Sequence, residues 1–193
     1  MGLHLCGGMT FPSTMIYKYN IKELDAQKCM MFAISAAPTH YNYTSRNMDR
    51  VIMNIYVGKL GEVGFKYLLD AHKITCETRD MFVVYDNIRD RDETDFKMPN
   101  GKKIDVKSTT CNWGIQVIPK HLHTQNYYVG TRVTLNKQDP LLDPIVEIRG
   151  CATPGDRWVD NKWGKKSLCF VDLADISIIL NEWGESLKSR LIY

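Results

Sequence analysis

Asp95, Asp105 and Lys107 are the residues of this chain whose types and spacing best suit chemistry. They lie in a stretch that reads as a short strand, a Pro99-Asn100-Gly101 turn and a second strand. On the second strand Asp105 and Lys107 are two apart, so both point to one face. Asp95 closes the first strand, and the hairpin returns it beside that pair. Two carboxylates and an ammonium gathered at one point repel or demand pairing, and burial adds a desolvation cost. A divalent cation relieves the repulsion, and the lysine then sits near a phosphate or an attacking water. Such an arrangement suits hydrolysis of a phosphodiester bond.

The elements that must position these groups can be read along the chain. Residues 1–19 show no regular pattern. Asn20 is expected to cap a helix that presents Ile21, Leu24, Met31 and Phe32 as an apolar stripe and ends at Pro38. Thr44 or Ser45 opens a second helix, expected over 47–72, with Ile52, Ile55, Tyr56, Val63, Tyr67 and Leu68 at helical period. This helix carries Gly58, Gly61 and Gly64 around Glu62, and close packing of helix on sheet explains them better than direct ligand contact. From residue 74 the pattern becomes strand-like, with an apolar run at 81–85 and a charged loop at 86–93. Strands follow the hairpin at 127–135 and 145–150, and 113–119 reads as a strand or an extended segment. A last helical pattern over 174–191 is interrupted at Gly184. The order implies an α/β (α+β) domain with a mixed central sheet.

These residues resemble the PD-(D/E)xK nuclease superfamily, the restriction-endonuclease-like fold, and its small phage and restriction-type members. Glu62 matches the helix acid, Asp95 the first Asp of the hairpin, and Asp105-Val106-Lys107 the D-x-K. Thr94 stands where the pattern has Pro, and Gln116 lies where many members carry a Gln after the lysine. The resemblance covers about residues 47–180. It implies a mixed central β-sheet flanked by helices, an N-terminal extension over 1–45 and a nuclease-like domain over 46–193. It further implies Mg²⁺ or Mn²⁺ held by Asp95, Asp105, the Val106 carbonyl and Glu62, with Lys107 and Gln116 orienting water or phosphate. The expected activity is a metal-dependent DNA endonuclease, and the resemblance admits a homodimer. The alternatives are a non-catalytic nucleic-acid-binding or assembly protein on the same fold, and a nuclease acting on RNA or a small nucleotide.

Composition fits a soluble globular protein: 44% hydrophobic and 24% charged residues, over 193 positions. No apolar run reaches the roughly 18 residues that span a bilayer, and no export signal is evident, so a cytoplasmic protein without membrane contact is expected. The six cysteines form no CxxC pair and read as reduced thiols. A net charge of +3 is too small to require a polyanionic partner, but lysines cluster at 97–107, 120–123 (with His121 and His123) and 162–166. His121 and His123 would share a face on a strand, and they read as surface or phosphate-contacting groups before a metal pair. The four tryptophans are assigned to core packing, with base stacking by Trp113 or Trp158 the minority reading.

Overall fold

A computed structural model describes residues 15–41, 47–76, 81–84 and 94–190. Its centre is a five-stranded mixed sheet in the order β1-β6-β5-β3-β2, built from β1 (Tyr17–Asn20), β2 (Phe96–Lys97), β3 (Lys103–Thr109), β5 (Tyr127–Thr134) and β6 (Ile145–Ala152). β3 and β5 are parallel, and the other neighbours are antiparallel. The α/β (α+β) class with a mixed sheet expected from the sequence is the one observed.

Parallel neighbours cannot be joined by a tight turn. The link from β3 to β5 therefore leaves the sheet and carries β4 (Gly114–Val117) and a 3-10 turn at Pro119–His121. β4 pairs with β8 (Lys166–Cys169), which pairs with β7 (Val159–Asp160), giving a second three-stranded sheet. Ile115, Val117, Leu168, Phe170 and Leu173 pack with Tyr128 and Ala152 of the central sheet in a small core. The larger core contains residues of the other face, including Ile104, Val106, Val129, Val133, Val146 and Ile148.

That larger core is made with α2 (Met48–Ala71), which lies between α1 (Glu23–Tyr41) and the sheet. Asn47 caps α2, its side chain accepting from the Arg50 N–H at 3.0 Å. The expected caps Thr44 and Ser45 lie outside the described residues. Two glycines set how near α2 approaches. A Cβ on Gly61 would come within 1.9 Å of Ser108 Oγ, and one on Gly64 within 2.5 Å of Val146. Close packing is thus the role of Gly61 and Gly64, whereas a Cβ on Gly58 would meet nothing within 4 Å.

Several expectations are corrected. Residues 17–20 form a strand, with Tyr17 and Tyr19 partly buried against the core and Lys18 and Asn20 outward on the alternate face. Asn20 pairs with Ile145 and does not cap α1. α1 buries Ala26, Cys29, Ala33, Ala36 and Ala37, while Leu24 and Met31 are 63% and 70% exposed. Small side chains let α1 lie close on α2, and that turns the bulky ones outward. Pro38 sits inside the last turn of α1, where it removes one hydrogen bond without stopping a helix anchored by those alanines. Residues 81–84 form a turn and irregular chain, not a strand, with Val83 and Val84 substantially exposed. Tyr85 and the charged loop at 86–93 lie outside the described residues.

α3 (Ser177–Arg190) runs through Gly184 and buries Ile179, Leu180 and Trp183. Its Glu182 accepts from Tyr127 Oη and Asn100 Nδ2 and pairs with Lys102 at 2.5 Å, so it ties the turn of the β2–β3 hairpin to β5. Burial alone would raise the Glu182 carboxyl, but Lys102, Tyr127 and Asn100 together hold it below its ordinary value.

The two glycines of α2 should separate cleanly on substitution. Gly61→Ala should cost about 1–3 kcal/mol through overpacking against Ser108 and Thr131. Gly58→Ala should gain about 0.5–1 kcal/mol from helix propensity alone. Urea midpoints of the two variants measure both.

Candidate functional site

β2 is two residues long and β3 is seven. The hairpin ladder ends where the Asp95 N–H donates to the Ile104 carbonyl at 3.1 Å. Two residues further along β3, the Val106 N–H has no β2 backbone opposite it and donates to Asp95 Oδ2 at 2.8 Å. The Asp95 side chain thus replaces the missing strand. An extended residue directs its N–H and C=O to the same edge, so the Val106 carbonyl is also turned to this opening. Thr94, in the place of the pattern's Pro, keeps Oγ1 at 3.1 Å from the Phe96 and Ile104 carbonyls, a closure of the hairpin end that Pro could not make. At the far end Gly101 takes a φ of +87°, and Asn100 Oδ1 accepts from the Lys102 N–H.

A cavity of about 290 Å³ opens at this edge. Asp95, Asp105, Val106 and Lys107 line it from the hairpin, and Glu62 lines it from α2. The structure therefore gathers five of the six residues singled out from the sequence. Gln116 is the exception. It stands half-buried on β4 in the second sheet, opposite Ser167, and is not among the lining residues. Its nearness to Lys107 in sequence misleads because the chain leaves the central sheet after β3.

The charges are paired inside the site. Lys107 Nζ lies 2.5 Å from Asp105 Oδ2, as their shared strand face requires. Lys59 Nζ lies 2.6 Å from Glu62 Oε2, with both side chains less than a tenth exposed. The Lys59 ammonium also sits 4.5 Å from the centre of the Phe32 ring. Lys59 and Phe32 are site residues that the motif does not contain. Lys59 had a legible signal, since it stands three before Glu62 on one helix face. An i, i+3 Lys–Glu pair is common on an exposed helix face, but here the pair is buried. Neighbouring Cys29 has its thiol pushed up to about 12 by burial, with Glu62 adding to the rise, and so stays a neutral packing group.

Asp105 is buried beside Asp95. Desolvation first, and the Asp95 charge second, push its carboxyl up to about 7, against the opposing pull of Lys107. All the groups that the chain offers to a cation here are oxygens, which suits hard ions such as Mg²⁺ or Mn²⁺. Among the described residues no group of three His, Cys, Asp or Glu is arranged to hold a metal. The fit is that of the Asp95–Asp105 pair with the Val106 carbonyl, and Mg²⁺ commonly takes only one or two carboxylates and keeps waters. Glu62, held by Lys59, fits only through such a water.

The remaining surface groups divide. Lys102 and Lys166 are paired with Glu182 and Asp160. His121 and His123 lie in a 3-10 turn and the residues after it, not on a strand. Trp183 is fully buried and Trp158 packs edge-on to Tyr128, but Trp113 and Trp163 are 41% and 64% exposed, against the expectation of core packing. No helix among the described residues is long and apolar enough to cross a membrane. Comparison with protein-family models, curated proteins and solved structures finds no match to this chain.

The raised carboxyl makes stability depend on pH in a defined direction. The folded protein holds a proton on Asp105 that the unfolded chain has lost, so this contribution is fully present below about pH 4 and is lost as pH rises through about 7. In chelator, the parent should lose stability relative to Asp105→Asn between pH 5 and 8, by an upper bound of about 4 kcal/mol. Urea denaturation of both proteins across that range checks the sign.

Proposed function

We propose that the chain is a metal-dependent nuclease that hydrolyses phosphodiester bonds, with a DNA strand as its substrate. One observation carries this reading: Asp95, Asp105, Lys107 and Glu62 line a single cavity where β2 ends and the edge of β3 is open. A bound divalent cation would supply Lewis acidity toward the phosphate and an acidified water.

The chain's own residues do the rest. Asp95 spends Oδ2 on the Val106 N–H, which fixes its carboxyl, and would help hold a cation together with Asp105. Asp105 offers a carboxyl whose like-charge contact with Asp95 favours a cation between them. Lys107, about a third exposed, reaches the cavity and can donate to a phosphate oxygen or hold the attacking water. Glu62, oriented by Lys59, can accept from a water at the α2 side of the cavity.

Two variants separate binding from chemistry. Asp105→Ala should lower cleavage at least about 100-fold and abolish the rise in thermal midpoint that Mn²⁺ gives the parent. It should leave DNA affinity equal or slightly higher, because a negative charge near phosphate is gone. Lys107→Ala should also stop cleavage, but it should weaken DNA binding and keep the Mn²⁺ response. Cleavage of plasmid, single-stranded DNA and RNA, run beside DNA affinity and Mn²⁺ melts, decides. Variants that cut as fast as the parent would make the site a chance gathering of charges and leave a non-catalytic binding protein.

A further inference from the structure

The hairpin joining β7 to β8 holds an exposed tryptophan in a rigid frame. Asn161 builds that frame. Its Oδ1 accepts from the Trp163 N–H at 2.9 Å and the Lys165 N–H at 3.1 Å, and its Nδ2 donates to Ser167 Oγ at 2.7 Å. The Gly164 N–H donates to the Asn161 carbonyl at 3.0 Å, and Gly164 takes the left-handed φ of +68° that closes the turn. Trp163 is thereby presented outward, 64% exposed. Lys162 Nζ lies 4.8 Å from the centre of its ring, and Lys165 and Lys166 follow.

The same hairpin has a second tryptophan at its root, and the contrast is informative. Trp158 is packed on Tyr128 with ring centres 5.4 Å apart, and its Nε1 donates to the Thr153 carbonyl. Tyr128 stands directly opposite Asp105 in the β3–β5 pairing, and residues so paired share a face. So the hairpin is rooted, through Trp158 on Tyr128, on the sheet face that carries Asp105 and Lys107. One tryptophan anchors it there, and the other is held in water at its tip.

An exposed ring with the Lys162 ammonium beside it matches a base with its phosphate: every base has a π-face, and a lysine neutralises the backbone. A base inside a duplex has no free face, so stacking selects an unpaired one. We propose that the β7–β8 hairpin is a contact arm for single-stranded polynucleotide. Trp163 stacks on an unpaired base, and Lys162 contacts a flanking phosphate. This inference rests on the nuclease reading for the substrate's presence at the site, and it makes that substrate a single strand or a frayed end.

The test uses the full chain in chelator with a fluorescent 20-nucleotide single strand and the matching duplex. Trp163→Ala should weaken single-strand binding by roughly 5- to 150-fold, the range that stacking of one base is worth. Duplex binding should change little, and Trp163→Phe should recover most of the loss. Lys162→Gln should flatten the dependence of single-strand affinity on salt by roughly 0.7 in log–log slope if it neutralises one phosphate. A thermal midpoint equal to the parent's shows that the exposed tip is not needed for folding. Single-strand affinity indifferent to Trp163 overturns the inference and gives the tip to a protein contact or to none, even if the parent cuts DNA. A parent that binds single strands through Trp163 but cuts no polynucleotide in Mg²⁺ or Mn²⁺ keeps the arm and overturns the nuclease reading. A parent that binds no polynucleotide overturns both.

Discussion

Everything at the candidate site depends on β2 stopping after two residues while β3 continues. Had β2 run on, its backbone would have satisfied the Val106 N–H, and the edge of β3 would have been closed. Because it stops, a buried donor needs another acceptor, and the Asp95 carboxylate takes that place at 2.8 Å. The same step puts the Asp95 charge against Asp105 and turns a backbone carbonyl to the gap. A hydrogen-bonding obligation of the sheet therefore assembles the two carboxyls.

The layers on either side fix what else can reach the gap. On one face, Gly61 and Gly64 bring α2 so near the sheet that Glu62 and Lys59 stand beside the open edge. On the other, the β3–β5 crossover lays a second sheet over Tyr128 and Ala152, which leaves Asp105 nearly buried while Lys107 keeps a third of its side chain in water. Glu182 on α3 holds the hairpin's turn, at the end remote from the cavity. The hairpin is thus fixed at both ends, by a carboxylate network at the turn and by Asp95 and Thr94 at the site.

The hairpin and its charges were legible because they depend on local rules. A Pro-Asn-Gly turn sets the register, and the two-residue period of a strand puts Asp105 and Lys107 together. The long helix was legible from its period, and its glycines from their cost in a helix interior. What was not legible depended on distant packing. Apolar character alone picks Leu24 and Met31 for the stripe of α1, but the neighbour on its inner side is another helix, and alanines allow the closer fit. The resemblance points to Gln116 by its place after Lys107, whereas the parallel pairing of β3 with β5 sends it to another sheet. β1 did carry a signal, the alternation Tyr-Lys-Tyr-Asn, but four residues of it are too few to stand out without β6 beside them.

The charges that line the cavity explain which carboxyl is perturbed. Three carboxylates, Glu62, Asp95 and Asp105, face two ammonium groups, Lys59 and Lys107, which leaves three minus two, or one, negative charge in excess among the described lining residues. Glu62 is matched closely by Lys59 in a dry setting, with Nζ 2.6 Å from Oε2. Lys107 must serve a carboxyl that also meets Asp95, and its own exposure lets water weaken the pairing. The excess therefore falls on the Asp95–Asp105 contact, and Asp105, the more buried of the two, carries the raised pKa. A proton on Asp105 removes that excess at low pH. At higher pH the excess remains, because the Val106 N–H that closes the sheet keeps Asp95 beside Asp105.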